Sequence, residues 1–404
     1  MVVAAPSTGL TSRPAAESYI GGVCFELGPP RLIGAEVEWL TARDGPASDR
    51  PDLDAIAAAL GPHAPRSLTP DSPARPLPSG SLVTVEPGGQ IELSSAPHSG
   101  AEVLCDALES DERILRNLLA TRSITMVAAA ADTGRRARRL LRLPRYRAME
   151  DRFARIGPFG KLMMCNTAAI QVSVDAGQDR AAVAHRWELL HAVGPALIAA
   201  FACSPRLQGI PSGNWVSQRM RTWLELDPSR TVGPGDAPAD PIADYARWVL
   251  DVPLLCVRRD GPCWDAPPGA TFADWIDGRL DDTIGRRPTR ADLDYHLTTV
   301  FPPVRAVGHL EVRYLDTQPG GRWRLPIAAL AALLTAPDTL AVAAPTRGRW
   351  RDAARDGLRD RDLRAAAVAM LELAADCTAE PRSAAGLASE ARRCRRGASA
   401  GEER

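Results

Sequence analysis

The stretch IGAEVEWL, residues 33–40, decides the fold because it alternates between two kinds of side chain. Successive side chains of a β-strand point to opposite faces. Glu36 and Glu38 therefore share one face of the predicted strand, and Val37 and Trp39 share the other. The alternation predicts a strand with an apolar face for the core and a pair of carboxylates on its polar face.

Three later stretches alternate in the same way. They are QIELS (90–94), AIQVSVD (169–175) and HLEVRYL (309–315). Their polar faces carry Gln90 and Glu92, Gln171 and Ser173, and Glu311 and Arg313. A polar outer face on one strand is ordinary for a half-buried antiparallel sheet, but four faces rich in Glu, Gln and Arg indicate a shared site.

The order of the predicted elements favours an α+β fold with a mostly antiparallel sheet, because strands, helices and long connections mix without a βα repeat. Apolar spacing predicts helices at 100–122, 178–203, 241–250, 289–299, 326–335 and 351–376. The arginine-rich run RRARRLLRLPRYR, residues 135–147, is interpreted as a solvated helix face, since nearly every cation of this chain is arginine.

The composition excludes several classes of protein. The 404 residues carry 49 basic and 49 acidic side chains, so the charge gives no reason to expect a nucleic-acid partner. No apolar run is long enough for a membrane span, and the first residues lack the features of a signal peptide. We therefore expect a cytoplasmic protein with no membrane partner. Eight scattered cysteines without a zinc-site spacing are expected to be free thiols.

The chain is predicted to form one catalytic domain over residues 16–378. Residues 1–15 and the arginine-rich residues 379–404 are predicted to be disordered, because they are small, polar or charged.

The carboxylates of these strands need a counter-charge. Glutamates held close together raise each other's pKa unless a cation neutralises them. Oxygen ligands from several strands suit Mg²⁺, which is a hard and small ion. The strand faces thus predict a magnesium site that could serve a nucleotide.

Several motifs resemble one family when they are taken in order. GAEVE, EPGGQIELSSAP, AIQVSVD, SPRLQGIPSGNWVSQRMRTW, HLTTVFPPVR and HLEVRYLD look like the glutamate–cysteine ligases of the plant and proteobacterial type. The nearest form is the actinobacterial one associated with ergothioneine biosynthesis. The resemblance covers residues 30–335. It implies a glutamine-synthetase-like catalytic fold, in which a curved, mainly antiparallel sheet forms a funnel with helices outside.

The resemblance also implies roles for individual residues. Glu36, Glu38, Glu92, Gln171 and Glu311 match the positions that bind two or three Mg²⁺ ions. Arg313 matches the arginine that faces the transferred phosphoryl group, so Arg313 and Glu311 are the expected catalytic residues. The expected substrate-binding residues are Arg219, Arg221 and Arg305.

The implied reaction joins the γ-carboxylate of L-glutamate to the amine of L-cysteine, with ATP as co-substrate and γ-glutamyl phosphate as intermediate. Two alternatives stay open: a related ligase that uses another amine, and an inactive regulatory paralogue. The segment MMCNTAAIQVSVD (163–175) departs from the plant pattern at an arginine and an asparagine, and Ser173 stands where asparagine is expected. These departures bear on the substrate side and leave the metal positions intact.

Overall fold

The computed structural model describes residue 10 and residues 12–28, 31–43 and 49–400. Within them, a seven-stranded sheet lies at the centre, with the strand order β2-β3-β1-β5-β7-β6, and β4 pairs with the C-terminal part of β1. Neighbouring strands of this sheet run antiparallel to each other. The strands are β1 (Ile33–Arg43), β2 (Leu82–Val85), β3 (Ile91–Ser94), β4 (Ile124–Val127), β5 (Ala169–Asp175), β6 (Val304–Ala306) and β7 (His309–Asp316).

Helices surround this sheet. They are α1 (Arg13–Cys24), α2 (Leu53–Leu60), α3 (Ala101–Ala120), α4 (Pro144–Ala154), α5 (Phe159–Asn166), α6 (Arg180–Phe201), α7 (Gln218–Leu226), α8 (Pro228–Thr231), α9 (Pro241–Asp251), α10 (Phe272–Ile276), α11 (Asp281–Ile284), α12 (Arg290–Leu297), α13 (Arg324–Leu333), α14 (Thr339–Ala343), α15 (Trp350–Arg355), α16 (Arg361–Cys377) and α17 (Pro381–Arg395). Short 3-10 turns lie at Gly61–His63, Pro319–Gly321, Ala344–Thr346 and Gly357–Arg359. In the part of the chain that the structure describes, no helix is both long and apolar enough to span a bilayer.

One face of the sheet packs against the hydrophobic core, and the other lines a cavity. On β1, Val37 and Trp39 are at most 1% exposed and belong to the main hydrophobic core. The helices α3, α6 and α13 contact the sheet strands and supply much of the rest of that core. The other face carries Glu36 and Glu38, which line a cavity. The predicted α+β class, the antiparallel sheet and the two-faced strands are confirmed.

The predicted helices are confirmed with one interruption. The stretch predicted as one helix at 351–376 is two helices, α15 and α16, separated by the turn Gly357–Arg359. Gly357 has φ +52°, and Asp360 then caps α16 by accepting the amides of Asp362 and Leu363. The side-chain pattern alone did not reveal this break.

The prediction of a solvated helix face for the arginine-rich run holds only in part, since Arg136, Arg138, Arg142 and Arg147 are exposed but most of the run is not helical. Residues 135–143 form no helix, and α4 begins only at Pro144. Arg135 pairs with Asp132 at 2.6 Å and donates to the carbonyl of Thr41, while Arg139 pairs with Glu150. Arg135 and Arg139 thus bind this connection to its neighbours, while the exposed arginines of the run face water.

The predicted disorder of residues 379–404 is wrong for most of that segment. Residues 381–395 form α17, and Leu387, Ala391 and Cys394 on it are at most 1% exposed. This three- and four-residue spacing is a narrow apolar stripe, which the polar composition concealed. At the other end, α1 begins at Arg13 with Ser12 as its N-cap. Residues 1–9, 11 and 401–404 lie outside the described residues, so the prediction there is not tested.

Candidate active site

Strand register brings the acidic side chains of β1 and β3 together. Glu38 lies directly opposite Glu92, and Glu36 lies opposite Ser94 on one side and Gln171 on the other. Like charges directly opposite each other on a sheet are unfavourable. The sheet holds these carboxylates side by side because the apolar residues between them are fixed in the core.

The amide of Gln171 sits among three carboxylates. Its Nε2 lies 2.8 Å from Oε2 of Glu36, 3.4 Å from Oε1 of Glu38 and 3.3 Å from Oε2 of Glu92. Its other amide atom, Oε1, is buried and has no hydrogen-bond partner. One neutral amide thus serves three acidic groups and leaves a buried oxygen acceptor unused.

A glycine turn brings another carboxylate into the cavity. The connection between β2 and β3 closes when the Gly89 amide donates to the carbonyl of Glu86 at 2.8 Å, with Gly89 at φ +87°. A side chain at Gly88 would lie 2.3 Å from the carbonyl oxygen of Cys165, so only glycine permits this approach. Gln90 then fixes the turn by donating to the carbonyl of Thr167 at 2.9 Å.

Glu86 lines the cavity and was missed as a site residue in the sequence. It lies in the motif EPGGQ, and its position was the available signal: an acidic residue at the end of a strand, just before a turn that requires glycine. The glycines that follow Glu86 are needed for the turn itself, as the close approach of Gly88 to Cys165 shows.

Burial and mutual repulsion raise the pKa values of these glutamates. Burial and then the charge of Glu311 raise the pKa of Glu36 to about 7. Burial and then the charge of Glu86 raise the pKa of Glu38 to about 8. Burial raises the pKa of Glu86 too, and burial together with the other three carboxylates raises that of Glu92. The charges of Arg313, Arg305 and Arg219 oppose these shifts without cancelling them, so a cation bound among the glutamates would favour their ionised forms.

Glu311 is in the opposite situation on the same face. Arg305, its neighbour on β6, pairs with it at 3.0 Å, and Arg313 on its own strand also donates to it. Burial alone would raise the pKa of Glu311, but Arg305 and Arg313 outweigh burial and lower it to about 2. This carboxylate is ionised and neutralised within the chain. Both arginines line the cavity, and the Nε atom of each is buried without a partner.

Helix α7 brings Arg219 to the same cavity. Arg219 is 1% exposed, and its Nη2 donates to the main-chain carbonyl of Arg313 at 2.7 Å. The ring of Trp223, one turn further along, lies 5.9 Å from the Arg219 guanidinium carbon and 5.3 Å from that of Arg313. Two cations thus share one aromatic ring, which is a favourable contact for each.

Arg221 is not brought to this cavity. Its guanidinium donates to the carbonyls of Pro211 and Ser212 and lies over the rings of Phe159 and Trp215. Residues on a helix two positions apart do not share a face. The geometry gives Arg221 a role in holding the loop before α7, so we do not retain it as a substrate-binding candidate.

The predicted residues other than Arg221 and Glu311 line one cavity of about 650 Å³, and Glu311 pairs with two of its arginines. Its remaining wall is mainly apolar and aromatic, with Arg145 as a cation and Asp294 as an acid, and most of it could not be identified from the sequence. This wall includes Arg145, Tyr146, Met149, Met163, Met164, Trp223, Tyr295 and Phe301. These residues come from four separate helices and one loop, and no spacing in the sequence connects them.

A second cavity of about 410 Å³ lies on the same side of the sheet and shares Glu36 and Val307 with the first. Its wall includes main chain and small side chains such as Gly34, Ser94 and Ser173, together with the ionisable side chains of Glu26, Asp175 and His309. Lys and Arg are absent from the described residues that line it. The acidic cluster therefore lies between two compartments of different chemistry.

The donor set fits Mg²⁺ even though it is not a preformed cage. Among the described residues, no three acidic, cysteine or histidine side chains converge on one metal position. The carboxylates converge instead on the Gln171 amide. All candidate ligands are oxygens, as Mg²⁺ requires, and the unused Oε1 of Gln171 and the raised pKa values mark a place that a cation would stabilise.

Comparison with known families finds a match over most of the chain. Residues 32–404 match the model of glutamate–cysteine ligase family 2. The glutamate–cysteine ligase EgtA of Mycolicibacterium smegmatis is 41% identical over 377 residues, which are 91% of this chain and 85% of that protein. The chloroplastic glutamate–cysteine ligase of Brassica juncea is 31% identical over 290 residues, which are 69% of this chain and 54% of that protein.

Among solved structures, the glutamate–cysteine ligase of Francisella tularensis in complex with AMP has a similar fold. The TM-score is 0.52 at 11% sequence identity, and the match covers 92% of this chain and 83% of that one. At this identity the likeness concerns the fold alone.

Proposed function

The chain belongs to glutamate–cysteine ligase family 2, and from this premise we propose that it joins L-glutamate to L-cysteine with ATP, forming γ-glutamylcysteine, ADP and phosphate. We propose that this product serves ergothioneine biosynthesis. The observation that supports the proposal is one cavity that combines a cluster of glutamates whose pKa values are raised with several arginines that could bind anionic substrates.

The chemistry requires activation of the γ-carboxylate, which has a poor leaving group. Transfer of the γ-phosphoryl group of ATP to that carboxylate gives γ-glutamyl phosphate and ADP. The amine of cysteine then attacks the acyl carbon, phosphate leaves, and the nitrogen loses a proton. Phosphoryl transfer depends on alignment and charge neutralisation more than on covalent help from the protein.

The resident metal would be Mg²⁺, held by oxygens of Glu36, Glu38, Glu86, Glu92 and Gln171, with Glu311 at the edge of the set. When bound, Mg²⁺ supplies charge neutralisation for the phosphates of the nucleotide. The chain's own contribution is to keep these ligands on one rigid sheet, so that they need little reorganisation during the reaction.

Arg313 and Arg305 are proposed to bind the oxygens of the transferred phosphoryl group. Their contacts with Glu311 hold both guanidinium groups at the cavity wall, with an Nε atom of each unsatisfied. A planar guanidinium makes forked contacts with phosphate or carboxylate oxygens. Glu311 therefore acts by orienting the two cations as well as by its charge.

We propose that the amino acids occupy the larger cavity and the adenosine the smaller one. Arg219 beside Arg313 provides a cation for a carboxylate of glutamate. Arg145 and the wall of methionine and aromatic side chains suit a small amino acid with a polarisable thiol. The smaller cavity offers hydroxyl and main-chain groups without Lys or Arg among its described residues, and its shared Glu36 would lie beside the phosphates.

Trapping the acyl phosphate tests this function. Enzyme with ATP, Mg²⁺ and glutamate, but no cysteine, should give γ-glutamyl hydroxamate when hydroxylamine is added, together with ADP. The Arg219→Ala variant should yield much less hydroxamate at low glutamate and recover partly at high glutamate, because binding is impaired. A panel of amines in the same assay tests cysteine against other acceptors. Formation of AMP, or ADP without hydroxamate, would contradict the acyl-phosphate mechanism.

A further inference from the structure

Asp316, the last residue of β7, is a buried carboxylate that does not line the cavity. It is 2% exposed. Its Oδ2 accepts the Ser204 hydroxyl at 2.7 Å and the main-chain amide of Cys203 at 3.1 Å, and its Oδ1 accepts the Ser217 hydroxyl at 2.9 Å. Both carboxylate oxygens are therefore bound to the two segments that lead into and begin α7.

Each of these serines in turn holds the first turn of α7. Ser217 is the N-cap and accepts the amide of Met220 at 3.0 Å, while the Ser204 hydroxyl accepts the amide of Arg219 at 3.2 Å. Asp316 also lies 3.8 Å from Nη1 of Arg219, and both side chains are 1% exposed. One carboxylate thus contacts the caps of α7 and faces the cation that this turn presents.

Asp316 also belongs to the strand that carries Glu311 and Arg313. Since Arg219 donates to the main-chain carbonyl of Arg313, the arginine of α7 is held to β7 at two places: this carbonyl and Asp316. A loss of the second contact would leave the side chain of Arg219 free to tilt about the first.

We propose that Asp316 is a positioning residue for glutamate binding. It acts through Arg219, by fixing the first turn of α7 and the guanidinium against β7. This inference rests on the proposed function, because it takes Arg219 as the group that binds a carboxylate of glutamate. Asp316 itself touches neither substrate nor the reacting atoms.

A purely structural role would predict a different outcome. Asp111 provides the comparison, because it is 0% exposed and accepts the main-chain amides of Ser79 and Ser81 at 2.9 and 3.0 Å, away from the cavity. Asp111→Asn should lower the melting temperature and leave the KM for glutamate unchanged. Asp316→Asn, which keeps the shape and removes the charge, should raise the KM for glutamate at least tenfold, with kcat and the KM for ATP changed less than threefold.

A double-mutant cycle separates the two roles. If Asp316 acts through Arg219, Asp316→Asn should add little to the glutamate KM of the Arg219→Ala variant, because the group that it positions is gone. Ser217→Ala keeps the Asp316 charge and removes one of its hydrogen bonds together with the N-cap through which it holds α7. It should raise the KM about threefold and decides the matter if Asp316→Asn does not fold. A folded Asp316→Asn with the wild-type KM, a Ser217→Ala with the wild-type KM, or additive effects in the cycle would overturn the proposal.

Calorimetric titration with L-glutamate distinguishes this inference from the proposed function, since it needs no turnover. Weaker glutamate binding by Asp316→Asn than by wild type supports the positioning role. Wild-type enzyme that binds no glutamate and releases no ADP with glutamate and cysteine would instead overturn the proposed function, and the role of Asp316 with it.

Discussion

Two groups of glutamates on the same sheet face differ in where their counter-charge comes from. Glu36, Glu38 and Glu92 surround one neutral amide, and the pKa of each is raised. Glu311, one strand beyond β5, is paired with Arg305 and Arg313, and its pKa is lowered to about 2. Glutamates on one sheet face thus differ: three of them would gain from a bound cation, whereas Glu311 is already paired with two arginines of the chain.

The difference teaches how the site divides its work. A carboxylate without an internal partner is unfavourable when ionised and buried, so it gains most from a bound metal ion. A carboxylate between two arginines gains little from a metal but holds both cations in place. We therefore expect loss of a glutamate from the first group to affect metal-dependent chemistry most, and loss of Glu311 to affect stability and arginine placement.

The largest expected effect comes from breaking the first group. Glu38→Gln should fold and lose ligation by about a hundredfold or more, because a metal site is worth several kcal/mol of charge neutralisation in the transition state. Steady-state ADP release over a range of Mg²⁺ concentrations measures the loss. Glu150→Gln is the control, since Glu150 pairs with Arg139 and Lys161 outside the cavity. Wild-type turnover of Glu38→Gln at saturating Mg²⁺ would remove Glu38 from the ligand set.

A smaller effect is expected when one of the two arginines that pair with Glu311 is altered. Arg313→Lys keeps the charge but loses the planar fork. Turnover should fall about tenfold, which corresponds to about 1.4 kcal/mol, with the melting temperature nearly unchanged. Arg221→Lys is the matched control, because Arg221 binds the carbonyls of Pro211 and Ser212 and should leave kcat as it is. Equal activity of Arg313→Lys and wild type would mean that Arg313 does not face the phosphoryl group.

The sequence predicted which glutamates lie on polar strand faces but not which of them pairs with arginines. Alternation placed Glu36, Glu38, Glu92 and Glu311 on polar strand faces, because a side-chain period of two is a property of the strand itself. Which glutamate meets an arginine depends on which strands become neighbours. The pairing of β6 with β7, which sets Arg305 opposite Glu311, is a tertiary fact that no local pattern contains.

Most of the apolar and aromatic wall of the larger cavity was out of reach of the sequence for the same reason. Tyr146, Met164 and Phe301 come from distant segments and share no spacing, although they line one cavity. Arg221 shows the converse error, because a motif match placed it beside Arg219 while helix geometry turns it toward the loop at 211–212. The polar composition also concealed α17, because only three buried apolar residues form the stripe along this helix.

The smallest expected effect is a change of a few degrees in the melting temperature of Glu38 and Glu311 variants. It tests the difference between these two glutamates without any measurement of turnover. Without metal, the folded-state pKa of Glu38 is about 8, above the ordinary 4.5. Between these two pH values the folded state binds more protons than the unfolded state. The contribution of Glu38 to the free energy of unfolding is therefore fully present below about pH 4.5 and is lost as pH rises through about 8. The folded-state pKa of Glu311 is about 2, so its contribution to the free energy of unfolding is present above about pH 4.5 and is lost as pH falls through about 2.

The two glutamine variants should therefore shift the melting temperature in opposite directions when EDTA is present. Near pH 8, Glu38→Gln should melt about 2 °C higher than wild type, because it no longer ionises a buried, unpartnered carboxylate. Glu311→Gln should melt lower at the same pH, because Arg305 and Arg313 lose their shared anion, and Glu150→Gln should also melt lower as another carboxylate paired with two cations. Added Mg²⁺ should raise the wild-type melting temperature more than that of Glu38→Gln. Scanning fluorimetry across this pH range measures all four proteins, and a Glu38→Gln variant less stable than wild type in EDTA near pH 8 would show that the first group has a counter-charge within the chain after all.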